Sequence, residues 1–361
     1  MLVRIFLFAY QIYFKFAKRR YLKKRNFTYI QSLFDETPIV KQEIYDLLLK
    51  FSNNDFDGFE ADYDAMRQND EYLSGGQLKS SLVLDALVTI INDYDMKAAQ
   101  ERLAALNDWW QKDKTAFSCG LYAYYLYQRG WSKRGGGYIS DVSEGGMQGY
   151  SDYLVKASDV LNDCHETTDN CLIWNLANYC LHSDGGVTRD ELHQYFEKCV
   201  ALEPYNLAHY ANHAFRLMPR WFGDSMQDVE DFARIAVERT KDKFGAGAYA
   251  AIYYLQSTIA ENPFDESFCD LDLLDQGFED LYARFGGQTC VNYHLMVLNW
   301  AMAHKRALPL VENRLTTIVT NAWCDEDMGD NTEYANLSVT MIGLKLFTIF
   351  EDDEDEKAKE G

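Results

Sequence analysis

Apolar residues recur along much of the chain at intervals of three and four. The clearest run is Thr188 to Gly223, TRDELHQYFEKCVALEPYNLAHYANHAFRLMPRWFG. Leu192, Tyr195, Phe196, Cys199 and Val200 fall at i, i+3, i+4, i+7 and i+8, one face of an α-helix. Thr188 can cap that helix, and Glu191 can reach back to the Thr188 N–H, a capping box. Pro204 disfavours helix at Glu203 and ends the run. Asn206 can cap a second helix, in which Leu207, Tyr210, Ala211, Ala214 and Phe215 repeat the spacing until Pro219. Ser225 opens a third, with Val229, Phe232, Ala233, Ala236 and Val237 on one face. Such short links make neighbouring helices antiparallel. A two-helix unit cannot bury its apolar face alone, so successive units must stack.

The same periodicity predicts helices over 38–51, 55–68, 76–92, 95–112 and 115–129, then 146–163, 169–183, 188–202 and 206–217. After the Ser225 helix it predicts 244–260, 270–284, 288–304, 307–321 and 332–350. Residues 130–145, GWSKRGGGYISDVSEG, form a long glycine-rich break. Unit starts at Asp55, Asp95, Gly145, Thr188 and Ser225 are 40, 50, 43 and 37 residues apart, against about 34 in a tetratricopeptide repeat. The expected fold is therefore all-α: an irregular α-solenoid of stacked antiparallel helix pairs, at least ~60% helical and without sheet. It partitions into a basic, aromatic N-terminal helix (1–25), a repeat region (26–240), further helices of the same solenoid (241–350) and an acidic, disordered tail (351–361).

YFEKCVALEPYNLAHYANHA resembles the second helix of one tetratricopeptide repeat running into the first helix of the next. The longer pattern resembles a bacterial family catalogued as domain of unknown function 4034. DFDGFEADYDAMR at 55–67, the tryptophans at 109–110, YQRGWSKRGGGY at 127–138 and LEPYNLAHYANHAFRLMPRWFG at 202–223 carry the resemblance. It covers roughly residues 40–240, and the chain beyond matches only as more helices. The resemblance implies a tetratricopeptide-like fold and supplies no activity.

Hydrophobic residues make up 47% of the 361 residues and aromatic ones 15%, which excludes a disordered body. None of the eight cysteines forms a Cys-x-x-Cys pair, and reduced thiols suit the cytoplasm. No small-residue signal-cleavage site is present. The net charge of −21 conceals an asymmetry, because residues 1–25 hold eight basic residues and no acid. The remainder, with 27 basic and 56 acidic residues, stands at −29. Such a body argues against nucleic acid and suits a basic protein partner. The N-terminal MLVRIFLFAYQIYFKFA is too short in apolar length to span a bilayer, which takes about 20 residues. Followed by a Lys/Arg cluster, Met1 to Arg25 has two readings: weak contact with an anionic membrane surface, at the inner face of the membrane, or the first helix of the solenoid.

Catalytic chemistry finds little support in these residues. His209 and His213 share a helix face, but residue 210 is Tyr, where the His-Glu-x-x-His motif has Glu, and no third ligand is apparent. Cys164-His165 is not spaced as a chelate. No Gly-x-Ser-x-Gly elbow occurs, and the triple glycine lacks the Gly-Lys-Ser/Thr ending of a phosphate loop. No catalytic residue, metal site or cofactor is therefore assigned. Two Trp/Arg segments stand out instead: Trp131, Arg134, Gly135 and Gly137, and Pro219, Arg220, Trp221 and Gly223. Trp and Arg are frequent in binding hot spots; equally, each Trp can plug a junction between repeats and each Arg can satisfy helix-end carbonyls. The expected function is non-enzymatic protein binding on the concave side, in the sharper form an acidic immunity-type protein that neutralises a basic toxin. The alternatives are a membrane-surface adaptor, or a helical hydrolase or transferase using His209, His213 or Arg220.

Overall fold

The computed structural model describes residues 2–91, 96–135, 139–184, 186–258, 267–323 and 330–346. In chain order its helices are α1 (Leu2–Arg25), α2 (Leu33–Glu36), α3 (Pro38–Ser52), α4 (Phe56–Gln68), α5 (Lys79–Ile91), α6 (Met96–Asp113), α7 (Ala116–Arg134), α8 (Glu144–Asn162) and α9 (Leu172–His182). There follow α10 (Arg189–Leu202), α11 (Leu207–Arg216), α12 (Met226–Phe244), α13 (Gly247–Ser257), α14 (Leu271–Phe285), α15 (Gln288–Trp300), α16 (His304–Asn313) and α17 (Asn331–Gly343). The fold is all-α, 76% helical, of the helical-repeat kind.

The chain forms two compact units. One holds residues 39–73 and 77–225, the other residues 1–38, 74–76 and 226–361; they are called here the middle unit and the terminal unit.

The middle unit is built around α7. Every residue from Ala116 to Tyr127 is buried, and a helix apolar on all sides must be a central one. Gly120 lets α9 lie close, since a Cβ there would come within 2.5 Å of the Trp174 backbone N. Arg129, also buried, donates from Nη1 to the Ile91 carbonyl at 2.9 Å and so closes the C-terminus of α5. The capping box at Thr188 is formed: the Thr188 N–H donates to Glu191 Oε2 at 2.7 Å, and the Glu191 N–H donates to Thr188 Oγ1 at 3.3 Å. Leu192, Phe196, Cys199 and Val200 are buried on α10, and Leu207, Tyr210, Ala211 and Ala214 on α11, as their spacing predicts.

One boundary differs in this unit. Helix α7 continues through Gly130, Trp131 and Arg134, so the glycine-rich break begins only at Gly135. Gly130 serves packing rather than a turn: a Cβ would sit 3.2 Å from the Tyr153 Cβ on α8. The glycine looked like a breaker because its neighbour across the helix interface is invisible in the sequence.

The terminal unit corrects the expectation of no sheet. Thr28–Ile30 (β1) pairs in parallel with Thr317–Val319 (β2). The predicted helix over 307–321 accordingly stops at Asn313. Val319 and its β-branched neighbours suit a strand, and α15 supplies the missing partners. Asn292 donates to the Thr317 carbonyl at 2.9 Å and accepts from the Val319 N–H at 3.1 Å and the Trp323 indole at 2.8 Å. Gln288 Oε1 takes the Thr316 and Thr317 N–H groups at 2.8 and 3.0 Å. Glu36 caps the other side of α15, accepting from the Gln288 N–H and, at 3.0 Å, from the Thr289 N–H, a carboxylate at a helix N-terminus where the dipole favours it.

Helix α1 is fastened by its second half. Lys18 pairs with Glu333, Tyr21 presses against Gly343, and the Arg25 guanidinium donates to the Val311 and Glu312 carbonyls at the end of α16. No helix among the described residues is long and apolar enough to cross a membrane. The tail over 351–361 lies outside the described residues.

Candidate functional site

Five helices of the middle unit turn one stripe each toward a common cleft of about 380 Å³. Ser81, Leu84, Asp85 and Val88 come from α5, at i, i+3, i+4 and i+7. Tyr124, Tyr127, Gln128 and Trp131 come from α7 with the same spacing. Helix α9 adds Leu176, Tyr179 and Cys180; α10 adds Phe196 and Cys199; α11 adds His209, Asn212, Phe215 and Arg216. Tyr63, from α4, completes the wall.

Most polar groups of the wall have partners inside the protein. Glu203 accepts from Arg67 Nε at 2.9 Å and Asn206 Nδ2 at 2.8 Å, and His209 Nε2 stands 3.4 Å away. Burial alone would push the Glu203 carboxyl up, but His209, Arg67 and Asn206 outweigh it and hold the group below its ordinary value. Tyr179 meets His213 Nδ1 at 3.2 Å, and His213 Nε2 meets His193 at 3.2 Å. Burial pushes the Cys180 thiol up to about 12, away from the reactive thiolate.

Three groups lack such partners. Asp85 borders the void and is exposed to solvent there. Desolvation by the cleft wall raises its carboxyl to about 6 with no cation to offset it, and the Tyr124 hydroxyl is near enough to interact with it. The buried Tyr63 hydroxyl and Arg216 Nη1 have no hydrogen-bond partner among the described residues. Buried polar groups are paired in the great majority of cases, so the two buried exceptions on the same wall as Asp85 set this cleft apart.

The two Trp/Arg segments meet at the rim of this cleft. The Trp131 indole donates to Asp184 Oδ2 at 2.9 Å and the Tyr150 hydroxyl to the same oxygen at 2.7 Å. Asp184 Oδ1 lies 3.2 Å from Arg216 Nη2, with side-chain exposures of 5% and 13%. That burial makes the ion pair costly to break from either side. The Arg216 guanidinium in turn covers the Trp221 ring at 4.8 Å. One ion pair thus joins Trp131 to Trp221. Arg134 stacks on Trp131 at 4.8 Å, and Gly135, at φ +83°, closes α7 by donating to the Trp131 carbonyl at 2.8 Å. Gly137 lies outside the described residues.

Pro219 and Arg220 are exposed in the turn after α11. Trp221 is half-buried, edge-on to Phe215 at 5.8 Å, and its indole N–H finds no acceptor among the described residues. Gly223 is required by close approach, since a Cβ would lie 1.8 Å from the Leu217 carbonyl oxygen. The residues that an enzyme would have to unite stand in separate surroundings. His209 faces Glu203 on the cleft, His213 is buried against Phe196 with ring centroids 4.3 Å apart, and Arg220 is exposed over Trp221. No group of three or more metal-ligating side chains occurs among the described residues.

Asp85 escaped sequence reasoning. Its one signal is that it is the lone acid in KSSLVLDALVTII, an otherwise apolar helix.

The terminal unit has a groove of its own, about 440 Å³, beside α14, α15 and α16. It is charged, but its charges answer one another. Asp275 stands 2.7 Å from His294 Nε2 and accepts from Arg306 at 2.7 Å, while Arg314 grips Glu279 with two bonds of 2.7 and 2.8 Å.

In comparison with known proteins, the chain matches no family model, no curated protein and no solved structure.

Proposed function

We propose that this chain is a non-enzymatic helical-repeat protein that binds a basic protein partner, and that the cleft of the middle unit receives a projecting part of that partner. The observation that supports this reading most is Asp85, an accessible carboxylate with no internal counter-charge, set among aromatic rings. The net charge of −21 favours the same partner at long range. An immunity-type role, in which a basic toxin is neutralised in the cytoplasm, follows this charge logic. The test is capture from cell extract with the wild-type chain and with Asp85→Asn. One basic polypeptide, retained in stoichiometric amount, released by salt and weakened by the substitution, is the expected result. Retention of no such polypeptide would remove the reading.

A second reading rests on α1. Lys15, Arg19, Arg20, Lys23 and Lys24 are exposed at i, i+4, i+5, i+8 and i+9, one face of the helix, and none has an ion-pair partner among the described residues. Phe16 beside them is 68% exposed. Such a ridge suits an anionic membrane surface. Deleting α1 would disturb the terminal unit, because Lys18, Tyr21 and Arg25 are fastened within it. The cleaner variant replaces Arg19, Arg20, Lys23 and Lys24 by Gln. Equal sedimentation of this variant and the wild type with anionic liposomes would exclude the membrane contact.

A further inference from the structure

We infer that the cleft of the middle unit is a site for a basic amino-acid residue, lysine or arginine, either free or within a peptide chain. The cationic head meets Asp85, the aliphatic stem lies along the aromatic wall, and an oxygen of the ligand answers the unpaired donor of Arg216.

The charge balance of the wall selects the sign of the ligand. Its carboxylates are Asp85 and Glu203, with Asp184 at the rim; its one arginine, Arg216, is already matched to Asp184. Glu203 is matched to Arg67 and His209. Asp85 alone is left over, so an anion would be repelled and a cation would be held. A neutral apolar ligand would strip water from Asp85 and return nothing, which is unfavourable for a charged group.

The shape of the wall selects the rest. Tyr63, Tyr124, Tyr127, Tyr179 and Phe196 line the void, and rings attract a cation carried on an apolar stem. A volume of about 380 Å³ stands at the lower end of small-ligand pockets, which run from about 300 to 1,000 Å³, so it suits one residue rather than a folded segment. Arg216 Nη1 and the Tyr63 hydroxyl, both buried and unpaired, ask for an acceptor. An amino-acid residue brings its carbonyl or carboxylate oxygen together with its cation. A bare metal ion fits less well, since no three ligating side chains converge among the described residues.

The inference needs only the cleft. It shares that cleft with the proposed function but not the proposed protein partner, so the two can fail separately. The probes are Nα-acetyl-L-lysine amide, free L-lysine and Nα-acetyl-L-norleucine amide, the last lacking only the ammonium group. Titration calorimetry of the full chain at pH 8, where Asp85 is ionised, should show saturable binding of a lysine probe. The affinity should exceed that for the norleucine amide by at least about tenfold, the scale of one charge-assisted bond. Asp85→Asn should lose that advantage while remaining folded by thermal melting, and Asp85→Glu, which keeps the charge, should retain it. Tighter binding of the amide assigns the site to a peptide-borne residue; tighter binding of free lysine assigns it to the amino acid itself. No saturable binding of either lysine probe, equal binding of the norleucine amide, or unchanged binding by Asp85→Asn would each overturn the inference. If lysine binds but no basic polypeptide is captured, only the protein-binding reading falls.

Discussion

Asp275 in the terminal unit, partly buried, and Asp85 in the middle unit, exposed at its cleft, both stand beside aromatic rings. Asp275 faces His294 and Arg306, which outweigh burial and keep its carboxyl below the ordinary range. Asp85 faces no cation, and burial raises it to about 6. Their contributions to stability therefore run in opposite directions with pH. Ionised Asp275 stabilises the fold above the unfolded value of 3.8, and this is lost as pH falls through its lower folded value. Asp85 favours the fold when protonated, so its contribution is complete below 3.8 and disappears as pH rises through about 6. At neutral pH the first aspartate supports the architecture and the second strains it. A charge kept at a cost to the fold is one whose use lies outside the fold.

The largest expected effect tests the architectural half of this contrast. His294 is buried, stacked on Phe278 at 4.5 Å and paired with Asp275. His294→Ala removes the ring and leaves Asp275 short of a partner, so it should cost about 3 kcal/mol. Urea denaturation checks this, and a midpoint near that of the wild type would place the terminal groove outside the structural role given to it.

Trp221→Ala comes next. The ring is half-buried against Phe215 and Arg216, so the loss should be about 2 kcal/mol rather than the ~3–5 of a fully buried tryptophan. An unchanged midpoint together with lost partner binding would make Trp221 a recognition residue.

Asp85→Asn should have the opposite sign. Allowing for screening by the water of the cleft, removal of the charge should stabilise the protein by roughly 1 kcal/mol at pH 8. Since only the ionised form is penalised, that gain should shrink below pH 6 and be absent near pH 4. Paired thermal melts across this range decide it; a gain independent of pH would remove Asp85 from the comparison. The smallest effect is expected for the exposed Arg220, whose replacement by Ala should move the midpoint by less than about 0.5 kcal/mol. A loss well above that would show its ring contact with Trp221 to be structural.

The helices of the middle unit were legible because their cause is local. The Thr188 box, the Asn206 cap and the apolar stripes of α10 and α11 each lie within a few turns of chain. The sheet was not, because β1 and β2 are three residues each and β2 is held by Asn292 and Gln288 from α15. Gly130 misled because its reason is Tyr153 on another helix. Of the two Trp/Arg segments the sequence offered the residues but not Asp184, which joins them from the end of α9. Asp85 gained meaning only when five helices placed their stripes around it.

The pairing of β1 with β2 also bears on how the protein is made. Arg25, just before β1, closes the end of α16 at Glu312, 287 residues further along. At ~5–20 residues per second a ribosome takes on the order of tens of seconds to cover that interval. Residues 39–73 and 77–225 belong to the middle unit and emerge within it. That unit can assemble during translation, while Thr28–Ile30 has no strand to pair with until Thr317–Val319 has left the exit tunnel. The order of biosynthesis is thus written into the topology: a segment made before the middle unit is among the last to find its place.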